Sequence, residues 1–251
     1  MKGVILAGGL ATRLRPLTWV TNKHLLPVYN KPMIYYPLEM MQKVGMKEVL
    51  LITSGEHVGD FANLLKSGDD FNLRLYYAIQ KNPTGGIADA LALAEEFAHN
   101  QPILVILGDN IFNFDLASAV TRFEGRLSRD QKGAMLFGVK RQDMDARQYG
   151  VIEVGHEGNV LSVEEKPEKP KSDIAQTGVY MYDNRVFDYI KTLTPSDRGQ
   201  LEVTDLNNKY LSQNSLGCEI IDWWVDAGTS HDELLAANVQ VASRVKEGKF
   251  S

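Results

Sequence analysis

Residues 1–15 read MKGVILAGGLATRLR, and residues 21–27 follow with TNKHLLP. Val4 to Ala7 is an unbroken apolar run, the mark of a strand buried on both faces rather than one with a wet side. It runs straight into Gly8 and Gly9, and the chain then delivers Arg13, Arg15 and Lys23. A strand ending in glycines beside fixed positive charge presents bare backbone amides and cations to phosphate groups. This opening predicts an α/β fold and nucleotide chemistry.

Working outward, Glu48 to Thr53, Leu73 to Ile79 and Ile103 to Leu107 read as further strands, and Met33 to Lys43, ended by Gly45, and Ile87 to Ala98 read as helices. Strands alternating with helices imply a mostly parallel, Rossmann-like central sheet flanked by helices, with ligands at the carboxyl ends of its strands. The Gly8-Gly9 and Gly108-Asp109-Asn110 loops occupy that position. Beyond Gly133 the texture becomes β-rich: Ala134 to Lys140, Gly150 to Val154, Val160 to Glu164 and Thr177 to Tyr182 read as strands separated by turns such as His156-Glu157-Gly158-Asn159. Helices return at Glu202 to Ser212 and from His231 onward, flanking a strand near Glu219 to Val225, and Lys166 to Lys171 (KPEKPK) reads as a solvated loop.

The 251 residues suit one α/β domain with a sizeable core. A formal charge of −5 leaves no basic surplus to displace counterions from a nucleic acid, so that partner is excluded and any anion must be bound locally. Cys218 is the only cysteine, which rules out an internal disulfide and a cysteine-built metal site. His24, His57, His99, His156 and His231 show no metal-ligand spacing. No apolar run approaches the ~20 residues of a membrane span; with no signal peptide legible, a cytoplasmic protein without a membrane partner is expected. Met33, Tyr35, Tyr36, Met40 and Met41 have helical spacing and read as core.

Two familiar phosphate loops are excluded. The dinucleotide fingerprint needs glycine where Leu14 stands and an acidic residue where Val28 to Asn30 stand, and the closing Gly-Lys-Ser/Thr of a P-loop is absent. What remains, Gly8 to Pro16 followed by Lys23 and Leu25-Leu26-Pro27, resembles the signature of the sugar-1-phosphate nucleotidyltransferases. Further matches follow in the family's order: Gln80 with Gly85-Gly86, Leu107 to Asn110, Tyr149-Gly150-Val151, Glu164 to Pro167, Thr177 to Tyr180 and Trp224 to Thr229. They span nearly the whole chain and are most similar to the thymidylyl-transferring branch, in a short form without a C-terminal helical segment.

The resemblance implies that a sugar-phosphate oxygen attacks the α-phosphorus of dTTP in line, giving dTDP-glucose from glucose 1-phosphate and releasing pyrophosphate, with catalysis mostly by positioning and charge neutralisation. It implies that residues 1–130 mainly serve the nucleotide and 131–251 the sugar. By the same resemblance Arg13 and Lys23 act on the triphosphate, Lys166 on the sugar phosphate and Glu165 on the sugar hydroxyls, while Asp109 and Asp226 hold Mg²⁺, a hard ion suited to carboxylates and phosphates. Gln80 and Gly86 correspond to the base-binding pair. Leu6, Gly8, Gly9, Thr12, His24 and Asn110 fall among the substrate contacts, His24 near the nucleotide, and Tyr149, Gly150, Gln176 and Gly178 line the sugar pocket. The implied role is supply of dTDP-rhamnose or related deoxysugars for surface polysaccharide, and a homo-oligomer is compatible with it.

Taken singly, these residues have ordinary uses: Asp109 and Asp226 as turn formers, Arg13 and Lys23 as surface cations, Glu165 and Lys166 as an exposed hairpin pair. Three positions depart from the family pattern. Ala11 replaces a frequent glycine and is tolerated only if its φ is negative; His24 stands where glutamine is usual, and Gln176 where valine is usual, so an amide beside the sugar would alter which sugar is accepted. The same reaction with UTP or another sugar 1-phosphate therefore stays open, as does a catalytically silent, sugar-nucleotide-binding regulatory paralogue. A dinucleotide-dependent dehydrogenase would explain the opening glycines but neither Lys23 nor Asp226.

Overall fold

The computed structural model describes residues 1–141, 148–156 and 158–250. Strand β1 (Lys2–Ala7) alternates between two cores, with Ile5 and Ala7 entering one and Val4 and Leu6 the other. A ribbon of β2 (Pro27–Val28) and β3 (Lys31–Pro32) leads into helix α1 (Tyr35–Lys43). Strand β4 (Glu48–Ser54), α2 (Val58–Leu65) and β5 (Arg74–Gln80) follow, then α3 (Ile87–Ala92), α4 (Glu95–Ala98) and β6 (Ile103–Leu107). β1 is parallel to β4 and β6, and β4 to β5, so four strands bring their carboxyl ends to one edge.

The second half does not build a sheet of its own. After β7 (Asn110–Phe112), α5 (Leu116–Leu127), β8 (Ala134–Lys140), β9 (Gly150–Val154) and β10 (Val160–Glu165), the long β11 (Ile174–Tyr182) docks antiparallel on β6 and extends the sheet to the order β10-β9-β11-β6-β1-β4-β5. β11 also pairs with β8; after α6 (Val186–Ile190) and α7 (Val203–Ser212), strand β12 (Leu216–Ile221) joins β8 as the ninth strand. Strand β13 (Trp224–Asp226) instead pairs antiparallel with β7 in a separate ribbon, and α8 (His231–Lys246) begins on Ser230, whose Oγ accepts from the Glu233 amide. Helices cover both faces: α1, α2 and α5 press Met41, Phe61 and Phe123 onto one, and α3, α6 and α7 press Leu91, Phe187 and Leu206 onto the other. Buried on both sides, the central strands carry no polar alternation.

Several boundaries differ from the sequence reading. The helix expected over Ile87 to Ala98 is two, because the Leu93 and Ala94 amides bond three residues back, to Ala90 and Leu91, and the tightened turn breaks the ladder. The helix expected from Met33 starts at Tyr35, and the strand expected over Glu219 to Val225 is cut after Ile221, its halves entering different sheets. Met33, Tyr36, Met40 and Met41 are buried, as their spacing predicts, while Tyr35 is only half-buried, edge-on against Phe71. Glu157, within the expected His156–Asn159 turn, lies outside the described residues. Among the described residues no helix is long and apolar enough to cross a membrane.

Candidate active site

The carboxyl ends of β1 and β6 open onto a cavity of about 420 Å³. Beyond β1 the chain turns through Gly9 (φ +91) and Ala11 (φ +46) into a single helical turn, Thr12–Leu14, pinned by the buried Leu14. The expectation that Ala11 keeps a negative φ is therefore wrong. A left-handed alanine costs roughly 1–2 kcal/mol, and the turn is held against that cost by the Leu14 amide and the Thr18 hydroxyl, which both donate to the Ala11 carbonyl. Leu6, Gly8, Gly9, Thr12 and Arg13 all line the cavity.

Gln80, at the end of β5, is buried with its Nε2 donating to the Gly86 carbonyl (3.3 Å) and to Asp89 Oδ2 (2.8 Å). Its Oε1 is thereby turned toward Gly8, where a Cβ would come within 2.7 Å of it. The two residues assigned to the base, Gln80 and Gly86, are thus joined to each other and to the glycine loop.

Asp109 and Asp226 come together through the ribbon of β7 and β13. Asp226 stands opposite Asn110 in that pairing, and the Ala227 amide donates to the Asp109 carbonyl at 2.9 Å. Lys23 reaches in from the short helical turn Lys23–Leu25 and pairs with Asp109 Oδ2. Burial pushes Asp109 upward, but the Lys23 ammonium overrides it and holds the carboxyl well below its usual range. Burial also drives up Asp226, and the like charge of Asp109 drives it further, to about 6. Burial works to discharge Lys23, yet the two carboxylates more than compensate and raise its pKa. Two crowded, desolvated carboxylates, one of them reluctant to ionise, form an oxygen-only donor pair that a divalent cation would relieve. Among the described residues no group of three or more His, Cys, Asp or Glu side chains could hold a metal, so such an ion would take its other ligands from substrate or water.

His24 is fixed from behind. Its Nδ1 lies 2.7 Å from Asn22 Oδ1, which also accepts the His24 amide, and its ring packs so closely under Gly108 that a Cβ there would fall 2.7 Å from Cδ2. Burial and the neighbouring Lys23 charge push its pKa down to about 3, so the ring is neutral at pH 7.

At the far end, Glu165 closes β10, and Lys166, at φ +46, follows it with its amide donating to the Tyr149 carbonyl. Arg198 Nη2 lies 3.0 Å from both Glu165 Oε1 and Glu202 Oε1, and Thr204 Oγ1 donates to Glu165 Oε2 at 2.7 Å. Arg198, Gln200, Glu202, Gln148 and Thr229 line the cavity and are not among the site residues that the sequence points to. Thr229 falls within a matched motif; the other four carry no local signal beyond polarity.

The cavity wall thus brings together Arg13, Lys23, His24, Gln80, Gly86, Asp109, Glu165, Lys166 and Asp226. Five expected contacts stand behind it instead. Tyr149 packs edge-on against Trp224 with centroids 5.4 Å apart, and Gly150 abuts the Gln176 side chain. Gln176 is buried, its amide donating to the Tyr180 hydroxyl and accepting from Asn207, both at 3.3 Å. Asn110 and Gly178 bond each other beneath Asp109.

The profile of the Nucleotidyl transferase family matches residues 2–244. A glucose-1-phosphate thymidylyltransferase of Neisseria gonorrhoeae is 44% identical over 98% of this chain and 85% of its own, and one from Actinoplanes sp. is 41% identical over 99% and 80%. A Bacillus anthracis protein provisionally given the same name, solved with sucrose bound, superposes with a TM-score of 0.88 at 43% identity, covering 96% of this chain and 94% of that one. A UDP-glucose pyrophosphorylase solved with UDP-glucose, 22% identical with a TM-score of 0.82 over 97% and 98% of the two chains, shares the fold. Matched by the family profile over residues 2–244 and by relatives of 41–44% identity over nearly its whole length, this chain belongs to the nucleotidyl transferase family.

Proposed function

We propose that this chain transfers a thymidylyl group from dTTP to glucose 1-phosphate, giving dTDP-glucose and pyrophosphate, in a Mg²⁺-dependent reaction. The observation that carries the reading is the convergence of Lys23, Asp109 and Asp226 beside the glycine loop, with Lys166 and Glu165 across the same cavity. Asp109 and Asp226 would hold the ion, which supplies charge neutralisation at the phosphates. Arg13 holds the β- and γ-phosphates and steadies the departing pyrophosphate, and Lys23 takes the charge that builds on the α-phosphate. Lys166 and Arg198 orient the sugar phosphate so that its oxygen meets the α-phosphorus in line, and Glu165 accepts from sugar hydroxyls.

With its Nε2 engaged by Gly86 and Asp89, Gln80 offers the Oε1 that faces Gly8 at the cavity wall, and this acceptor favours a base that donates from its ring nitrogen, as thymine and uracil do and cytosine does not. UTP is accordingly the nearest competitor. In this reading the first half of the chain serves mainly the nucleotide and the second mainly the sugar, within one domain, and a cytoplasmic enzyme feeding dTDP-rhamnose or a related deoxysugar is the fitting context. A matrix of nucleoside triphosphates against sugar 1-phosphates, scored by pyrophosphate release, tests it. The highest kcat/KM is expected for dTTP with glucose 1-phosphate, and ligand binding without turnover for every pair would instead make the chain a silent regulatory paralogue.

A further inference from the structure

Gln80 is buried, and its side-chain nitrogen is committed to two groups that can only accept. Nε2 donates to Asp89 Oδ2 at 2.8 Å and to the Gly86 carbonyl at 3.3 Å. The nitrogen and oxygen of an amide are told apart by their partners. Two acceptors face one end of this amide, so the nitrogen must take that end and Oε1 the other, toward Gly8. Of the two bonds, the one to Asp89 is the shorter and is charge-assisted, which makes it the stronger. Asp89 stands in the first turn of α3, where an acidic side chain ordinarily does no more than suit the helix dipole. Its carboxylate, however, is pressed against Gly85, where a Cβ would fall 2.4 Å from Oδ2 and 2.5 Å from Cγ. Gly85 is itself held in place, since its amide donates to the Asn82 carbonyl at 3.0 Å and its carbonyl accepts from the Leu201 amide at 2.8 Å. Asp89 is not part of the cavity wall; Gln80 is.

Resting on the reading that Gln80 faces the base of the nucleoside triphosphate, we propose that Asp89 is a positioning residue for base selection. It holds the Gln80 amide in the one orientation that shows an acceptor to the ring nitrogen of the base. In thymine and uracil that nitrogen carries a hydrogen, and in cytosine it carries a lone pair. With Oε1 turned to the base the first two are matched, whereas cytosine sets two acceptors against each other, and a site built on hydrogen bonds discriminates strongly against such a mismatch. If the amide turned over, Nε2 would suit cytosine, but Oε1 would then meet both the Gly86 carbonyl and the Asp89 carboxylate. The carboxylate is the stronger of these two restraints, so Asp89 acts on the base without touching it.

The test measures kcat/KM for dTTP and dCTP with glucose 1-phosphate, by pyrophosphate release, in the wild type and in Asp89→Ala, Gly85→Ala and Gln80→Ala. Asp89→Ala is expected to lower the dTTP:dCTP ratio about tenfold, through a higher KM for dTTP and a lower one for dCTP, with KM for glucose 1-phosphate within about threefold of wild type. A loss of helix stability alone would scale both triphosphates together and leave the ratio unchanged. Gly85 is not among the residues with a positive φ, so Gly85→Ala fits the backbone, keeps the carboxylate in the chain and pushes it off Gln80; it should lower the ratio in the same direction. If Asp89→Ala does not fold, Gly85→Ala decides in its place. Gln80→Ala is the control for the underlying reading. Should Gln80→Ala lose the selectivity while Asp89→Ala keeps the wild-type ratio, the positioning role is refuted. A wild-type ratio near one, or an unchanged ratio in Gln80→Ala, would overturn Gln80 as the base contact, and the role of Asp89 with it.

Discussion

Gly228→Ala places one methyl group in the centre of the acid pair. Gly228 is not among the residues with a positive φ, so alanine can adopt its backbone without strain. The added Cβ would nevertheless lie 2.3 Å from Asp109 Oδ2, 2.8 Å from Asp109 Cβ and 2.7 Å from Lys23 Nζ. Because Cβ atoms essentially never approach closer than 3.0 Å, the Asp109 carboxylate must retreat by at least the difference from 2.3 to 3.0 Å, about 0.7 Å. Lys23 can swing on its flexible stem, but Asp109 is tied through Oδ1 to Asn110 and cannot rotate away freely. Misplacing a reacting geometry by about 1 Å costs on the order of 10²-fold. Gly228→Ala should therefore lower kcat for pyrophosphate release about 10²-fold while the melting temperature moves by only a few degrees, since no buried apolar contact is lost. A kcat within about threefold of wild type would refute the assignment of catalytic weight to the Asp109 and Lys23 geometry.

Gln176→Val should leave the sugar profile within about threefold, because the side chain lies behind the cavity wall, but should cost roughly 1–3 kcal/mol of unfolding free energy by leaving the Tyr180 hydroxyl and the Asn207 amide unpaired; a reordered sugar preference would put the amide in the pocket after all. His24, with a folded pKa of about 3 against 6.5, binds its proton more readily in the unfolded chain, so its contribution to stability is full above pH 6.5 and is lost as pH falls toward 3. By pH 4.5 that loss amounts to roughly 2–3 kcal/mol, and His24→Gln should remove this part of the pH dependence in urea unfolding at pH 7 and 4.5; identical slopes would refute it. Cys218 has its thiol pushed up by burial from 9.0 to about 12, so at pH 8 the native chain should react with a disulfide reagent about 10³-fold more slowly than the unfolded chain, and comparable rates would show that burial does not govern it.

The fold is legible where periodicity is strong. Val4 to Ala7, Ile103 to Leu107 and Ala134 to Lys140 read as strands because a segment buried on both faces has no polar interruptions. Helix α5 is absent from the sequence expectations although its signal is local: Asp115 caps the Ser118 amide, and Leu116, Ala119, Val120 and Phe123 recur at helical spacing along the buried face. The break at Leu93 and Ala94 has no such signal, since alanine and leucine are good helix formers and only tertiary packing tightens that turn. Within the site, the Gly8-Gly9 loop and the two aspartates announce themselves by motif. Arg198, Gln200 and Glu202 do not, because what brings their loop to the cavity is backbone: the Leu201 amide donates to the Gly85 carbonyl at 2.8 Å and the Leu201 carbonyl accepts from Ala88 at 3.1 Å. Gly86 has to be glycine for that contact, as a Cβ would sit 2.5 Å from the Leu201 oxygen. Gln176, conspicuous as a departure from the family pattern, lies deeper than expected for the complementary reason: alternation along a strand names a face, not a depth.

The charges around the cavity argue for a cation independently of any motif. Arg13, Lys23, Lys166 and Arg198 supply four positive charges to the wall, and Asp109, Glu165, Glu202 and Asp226 supply four negative ones, with His24 neutral. A triphosphate and a sugar phosphate both bring several negative charges into this balanced site, and three of the four cations there are already engaged by the protein's own carboxylates: Lys23 by Asp109, Lys166 by Glu165, and Arg198 by Glu165 and Glu202. At the buried end of the pocket, around Asp109 and His24, such an excess is screened far less than on the open surface. The protein alone therefore neutralises neither substrate, and a divalent ion on the Asp109 and Asp226 pair would reverse the sign of that wall where the α-phosphate must sit. Chelation with EDTA should abolish pyrophosphate release and added Mg²⁺ should restore it; turnover that persists under chelation would mean that Arg13 and Lys23 suffice, and that the acid pair serves the fold rather than the reaction.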